Sequence, residues 1–201
     1  MRIFQILEIQ KLEINSDFLD LGSTQSETNV SNYVKNKDLR TYANLNTNLK
    51  NQNFINLETY PNDIKKKFKI IFLMNVLEHI KSINNCFRNI NDILDEDGVI
   101  YGSTPFLFHI HKSPNDYFRY TQQFLEEFLK ENGFKFIEVK VLGTGVFCNI
   151  YSSLFNITKK IPFLNIIIFP TAIILDKILG IFLRNLKNIN PLGYFFIAKK
   201  N

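Results

Sequence analysis

The chain has 201 residues, 45% of them hydrophobic and 21% charged, with a net charge of +5 and a pI near 9.1. That length suits one well-buried domain and is too short for two comfortable ones, and the composition excludes a disordered chain. The positive balance is mild. Its densest run, Lys65-Lys66-Lys67 with Lys69, reads as a solvated loop running into a strand, which argues against a nucleic-acid partner.

At the start of the chain, MRIFQILEIQKLEIN reads as a short helix; Glu8, Lys11 and Glu13 interrupt its apolar residues, so a signal peptide is not expected. Asp17 to Leu21 is the first strand. Residues 23–40 are polar and weakly periodic. Strands follow at Leu39 to Leu45 and, more briefly, at Asn53 to Leu57. The near-continuous apolar run Phe68 to Met74 has the character of a parallel strand covered on both faces. From Val76 to Leu94, apolar residues recur at three- and four-residue intervals, predicting a helix closed by the Asp95-Glu96-Asp97-Gly98 turn. Val99 to Thr104 is the next strand, ended by Pro105. Thr121 is placed to cap a helix bearing Phe124, Leu125, Phe128 and Leu129, with Gly133 at its C-terminal end. Phe136 to Leu142 and Gly193 to Lys199 complete the strands. Strand–helix alternation over this length predicts an α/β fold with a parallel sheet.

Two features stand outside that pattern. Residues 161–183, IPFLNIIIFPTAIILDKILGIFL, are long and apolar enough to raise a membrane question, while Pro162, Pro170, Asp176 and Lys177 argue against a spanning helix. A lid, a homodimer face and a helix lying on a membrane surface all remain open for this segment. Cys86 and Cys148 are far apart with no metal-ligand spacing; a reducing, cytoplasmic setting and no metal are expected.

Three stretches then carry a resemblance: FLDLG at 18–22, KIIFLMNVLEHI at 69–80, and DGVIYGSTPF running on toward HKSPNDYFRYT. Together they resemble the class I S-adenosylmethionine-dependent methyltransferases of the small-molecule type, over about residues 16–142, with PLGYFFIAKK resembling the family's final strand. The resemblance implies a Rossmann-like, doubly wound, mostly parallel seven-stranded sheet with one antiparallel strand. Residues 143–190 would then form a helical apolar insertion within a single domain. It also implies S-adenosylmethionine as cofactor, in the crevice where the strand winding reverses. The positions it assigns to cofactor binding are Asp20, Gly22, Ser23, Asn46, Leu57, Glu58, Asn75 and Val76. The family's second and third loop glycines fall on Thr24 and Ser26. Its ribose-binding acid falls on Asn46, its adenine-side acid on Asn56, and the acid opening its fourth strand on Lys69.

On the substrate side, His111 is the candidate general base for a hydroxyl acceptor. Tyr117, Arg119 and Tyr120 are candidates for contacting a ring-shaped acceptor such as a sugar, with bracing of the loop by Asp116 and Arg119 as the structural alternative. Glu78 and His79 read as helix-start residues and His109 as structural. The leading expectation is methyl transfer to a small-molecule hydroxyl or amine, such as an envelope sugar. The runner-up is an inactive member of the fold kept as a binding or scaffolding subunit.

Overall fold

The computed structural model describes residues 1–23, 29–45, 52–62, 64–112 and 115–201. Seven strands build one sheet: β1 Phe18–Leu21, β2 Arg40–Asn44, β3 Gln52–Phe54, β4 Phe68–Met74, β5 Leu94–Pro105, β6 Phe136–Leu142 and β7 Gly193–Lys199. Their spatial order is β3-β2-β1-β4-β5-β7-β6. Neighbours from β3 to β5 pair in parallel, and β7 runs antiparallel to both β5 and β6. The sheet is thus mostly parallel with one reversed strand, as the resemblance implied.

Helices cover both faces. α1 (Arg2–Ile9) lies on one face over a core of Ile9, Ile14, Phe18, Phe72 and Phe195. α2 (Ile83–Ile93) and α3 (Gln122–Glu131) pack the other, where Phe87, Ile90, Leu125 and Leu129 meet Leu19, Leu21, Ile71 and Leu73. Strand alternation sorts β1 between the two cores, so Asp20 is turned to the α1 side with Phe18. α3 begins as its sequence predicts. Thr121 accepts a hydrogen bond from Phe124 N at 3.2 Å, and Gly133 follows the helix at φ +92°.

The expected single helix from Val76 is divided. Leu77–His79 forms one 3-10 turn, Ile80 is extended, and α2 starts only after Ser82. The reason is a competing partner: Glu78 O accepts Tyr117 N at 2.8 Å and Phe118 N at 3.3 Å, so it is not available to Ser82 in a helical ladder. The acidic-glycine turn is also altered. It lies within the span of β5 as a bulge, the pairing stepping from Phe68–Leu94 directly to Ile70–Val99.

Between β6 and β7 come α4 (Val146–Thr158), α5 (Pro162–Phe182) and the short α6 (Leu186–Ile189). α5 is apolar all round, yet only Ala172 and Asp176 are buried. Its outward side presents Phe163, Ile166, Ile174, Ile178 and Ile181, with Ile166 73% and Ile181 78% exposed. Asp176, 2% exposed, anchors it inward: its carboxylate accepts Thr144 Oγ1 (2.7 Å), Phe147 N (2.9 Å) and Cys148 N (3.0 Å). α4 has no capping side chain of its own, so a residue from α5 serves its N-terminus. Gly145, at φ +152°, permits this approach, since a Cβ there would lie 2.8 Å from Asp176 Oδ1.

Candidate functional site

At the carboxyl ends of β1, β2 and β4 lies a crevice of about 210 Å³. Ile55, Leu57, Val76 and Ile80 give it an apolar wall, and Asn44, Asn56, Glu58, Asn75 and His79 supply polar groups. Gly22 sits at its edge with φ +73°, and a Cβ there would come within 2.6 Å of Val76 Cγ2. Only glycine gives this turn both its left-handed backbone and its clearance from Val76.

A second, larger cavity of about 630 Å³ lies between α1, the loop after β5 and the α4–α5 hairpin. Phe4, Phe108, His109, His111, Tyr151, Phe155 and Lys159 are among its lining residues. Asn75 belongs to both spaces. Its backbone is left-handed at φ 55°, and its N–H donates to Ser103 O at 2.9 Å. Its Oδ1 accepts Gln5 Nε2 at 2.8 Å and Ser103 Oγ at 3.2 Å. Gln5 also reaches Ser103 Oγ at 2.7 Å, so α1 locks the residue that joins the two spaces.

Beside Asn75, Glu78, His79 and His111 converge. Glu78 is fully buried, and neither carboxylate oxygen has a hydrogen-bond partner among the described residues. Its Oε1 lies 3.5 Å from His111 Nε2 and 3.7 Å from His79 Nε2. The three ligand atoms lie within 4.8 Å of one another, close enough to share a metal ion. Each imidazole is held from behind. His79 Nδ1 contacts Asn115 O; His111 Nδ1 lies 3.3 Å from His109 O and 3.5 Å from Asp116 Oδ2. Asp116 is in turn fixed by His111 N (2.9 Å) and by both guanidinium nitrogens of Arg119 (2.5 and 2.7 Å). The Arg119 hydrogen bonds hold the Asp116 carboxyl well below the usual carboxylate range. The contact with Glu78 raises the His111 pKa against the opposing effect of burial, whereas burial lowers that of His109.

Of the sequence candidates, Gly22, Leu57, Glu58, Asn75 and Val76 line the crevice. Asp20 does not; it is buried on the α1 side, accepting from Ser31 Oγ and from Asn29 Nδ2 at 3.3 Å. Ser23 Oγ likewise accepts from Asn29. Asp20 and Ser23 are thus both tied to Asn29, and among the described residues neither is one that lines the two spaces. Asn46, Thr24 and Ser26 lie outside the described residues. His111 does line the larger cavity, with both ring nitrogens turned toward protein acceptors. Tyr117, Arg119 and Tyr120 line neither space. Tyr117 leans on Phe118; Tyr120 stacks on Phe124 and donates to Leu77 O at 3.3 Å; Arg119 braces Asp116. Sequence reasoning missed Gln5, His109, Tyr151 and the depth of Glu78. The Glu78-His79 pair was visible in NVLEH, but its helix-start reading failed because the segment is a single turn folded under the 115–118 loop.

The family described as methyltransferase domain matches residues 9–139, more than half of the chain. No curated protein matches the sequence. Among solved structures, phosphoethanolamine N-methyltransferase 2 of Haemonchus contortus, in complex with S-adenosyl-L-methionine, superposes with a TM-score of 0.60 at 19% identity. That alignment covers 98% of this chain and 52% of the nematode protein, so the chain spans about half that relative's length. A possible histamine N-methyltransferase of Thermotoga maritima gives 0.60 at 10% identity, covering 100% and 89%. A SAM-dependent methyltransferase of Archaeoglobus fulgidus gives 0.53 at 14% identity, covering 100% and 95%. At such identities these likenesses establish the fold. Another similar structure, SpnF, is a [4+2]-cyclase, with a TM-score of 0.60 at 12% identity, covering 99% and 80%.

Proposed function

The chain belongs to the methyltransferase-domain family, and from that premise we propose that it transfers a methyl group from S-adenosylmethionine to a hydroxyl or amine of a small molecule, with an envelope sugar as the acceptor class. The observation that carries this reading is the meeting of the two spaces at Asn75: a narrow crevice at the winding reversal opens beside a roomy, aromatic-lined cavity. The crevice residues fit the cofactor. Gly22 leaves its edge free of a side chain, the Ile55–Leu57–Val76–Ile80 wall suits a purine, and Glu58 and Asn75 offer polar contacts. When bound, S-adenosylmethionine supplies an electrophilic methyl on a sulfonium. The chain's own work is alignment and exclusion of water: α1 and the α4–α5 hairpin roof the cavity, and Gln5 fixes Asn75 at the junction. Calorimetry of the full chain with S-adenosylhomocysteine tests the reading. Saturable binding in the micromolar to millimolar range is expected, and no heat at millimolar ligand would overturn it in favour of a non-catalytic binding subunit.

We further propose that the outward face of α5 rests on an anionic membrane surface. An apolar helix of 21 residues with 11% of its most apolar window buried departs from the polar outer face of a soluble amphipathic helix. Charge supports the choice of partner. Residues 143–192 carry Lys159, Lys160, Lys177, Arg184 and Lys187 against Asp176 alone, and that acid is turned inward. The Asp176 hydrogen bonds keep α5 on the domain and so favour lying flat over crossing. Co-sedimentation with vesicles containing phosphatidylglycerol is expected, weakened about tenfold or more on neutral vesicles or in Ile166→Gln/Ile174→Gln/Ile181→Gln. A lipid-free dimer abolished by that triple change would assign the face to a second copy. Resistance to carbonate extraction from membranes would indicate a span.

A further inference from the structure

We infer that Glu78, His79 and His111 form a binding site for one divalent transition-metal cation, zinc being the best fit, with an open coordination position at the junction of the two spaces. The inference deepens the methyltransferase reading, because it rests on that junction being where donor and acceptor meet.

The argument starts from where the protons lie. Asn115 O can only accept, so His79 Nδ1, which contacts it, carries a hydrogen. The same holds for His111 Nδ1, which faces His109 O and the Asp116 carboxylate. In each neutral imidazole the lone pair is then on Nε2, and both Nε2 atoms point at Glu78 Oε1. Three electron-pair donors therefore face one another in a place where the carboxylate is 0% exposed and has no hydrogen-bond partner among the described residues. In the metal-free protein a proton on His111 Nε2 compensates the buried Glu78 carboxylate in part; a cation among the three donors displaces that proton and satisfies all three at once.

The spacing agrees. Donor separations of 3.5 and 3.7 Å exceed ordinary hydrogen bonds. Metal–ligand bonds of about 2.0–2.2 Å at tetrahedral angles put donors about 3.4 Å apart. Two imidazoles and one carboxylate suit zinc and its first-row neighbours better than magnesium or calcium, which favour all-oxygen sets. Three protein ligands leave a fourth position free, the pattern of catalytic rather than structural zinc. The supporting contacts are also those of a metal site: each histidine donates its other nitrogen to a carbonyl or carboxylate, and Arg119 fixes that carboxylate. This gives the HKSPNDYFRYT stretch a purpose that contact with a sugar ring does not. It also replaces free His111 as the base. A cation held there would lower the pKa of an acceptor hydroxyl at the open position, the proton leaving before the cavity closes over the reactants.

The test uses the full chain, stripped with chelator and dialysed. Zinc titration by calorimetry should give one site, and cobalt(II) should give the intense visible absorption of a tetrahedral complex. Glu78→Gln, His79→Ala and His111→Ala should each weaken zinc binding by about 100-fold or more, and Asp116→Asn by about tenfold. Cys86→Ser and Cys148→Ser should leave it unchanged. Circular dichroism checks folding of each variant, and cobalt(II) on the parent decides the matter even where a variant does not fold. No zinc binding, an octahedral cobalt spectrum, or binding indifferent to the three ligand changes would overturn the inference and leave the cluster as a proton-sharing pair. S-adenosylhomocysteine binding by the chelated protein is the separate readout of the methyltransferase reading.

Discussion

Replacing Asp176 by alanine offers a direct measure of how the helical hairpin is held to the domain. The buried carboxylate accepts hydrogen bonds from Thr144 Oγ1, Phe147 N and Cys148 N. Bonds to a charged acceptor are worth about 1.5–3 kcal/mol each, but they are not additive, and desolvation of the carboxylate offsets part of the sum. Alanine leaves two backbone N–H groups at the start of α4 unsatisfied, that of Cys148 buried and that of Phe147 partly buried, so a loss of about 3–5 kcal/mol is expected. For a chain of this size each kcal/mol moves Tm by about 2–4 °C, giving a fall of about 10 °C. Asp176→Asn keeps one acceptor oxygen and should lose about half as much. Urea unfolding followed by far-UV circular dichroism supplies the free energies. An Asp176→Ala variant within about 1 kcal/mol of the parent would refute the idea that this residue anchors α5.

Other expectations are independent of that anchor. Gly22→Ala forces a Cβ to 2.6 Å from Val76 Cγ2 at φ +73°; it should cost about 1–2 kcal/mol and weaken S-adenosylhomocysteine binding, read by calorimetry. Gln5→Met removes the donor shared by Asn75 and Ser103 and should destabilise by about 1–3 kcal/mol while loosening the same ligand. Thr121→Ala deletes the α3 cap and should cost about 1 kcal/mol in thermal unfolding with ligand affinity unchanged.

How much was readable in the chain depends on the range of the interaction involved. β4 was legible because a strand covered on both faces is apolar along its length, and α3 because its cap, apolar face and terminal glycine all lie within one short segment. Gly22 and Asn75 were legible because the stretches FLDLG and NVLEH carry the family resemblance that assigns them. The 77–79 turn was not, since what breaks the helix is the Tyr117 and Phe118 amides, almost 40 residues away, taking the Glu78 carbonyl. Asp20 sounded like a cofactor ligand because its neighbours did; strand alternation turned it to the opposite face, where Ser31 and Asn29 use it. Tyr120 reads as a polar aromatic in a loop, and only packing against Phe124 makes it core.

The sequence by itself determined most of the strands and helices, because hydrophobic periodicity is a local property; the winding of the sheet and the place of the crevice followed from the family resemblance. Tertiary structure alone decided which groups share the site. Gln5 reaches across the fold to Asn75, and the loop after β5 sets His111 over a carboxylate that the chain conceals beneath it. Proximity between residues distant along the chain has no local signature; it exists only once burial has closed the layers.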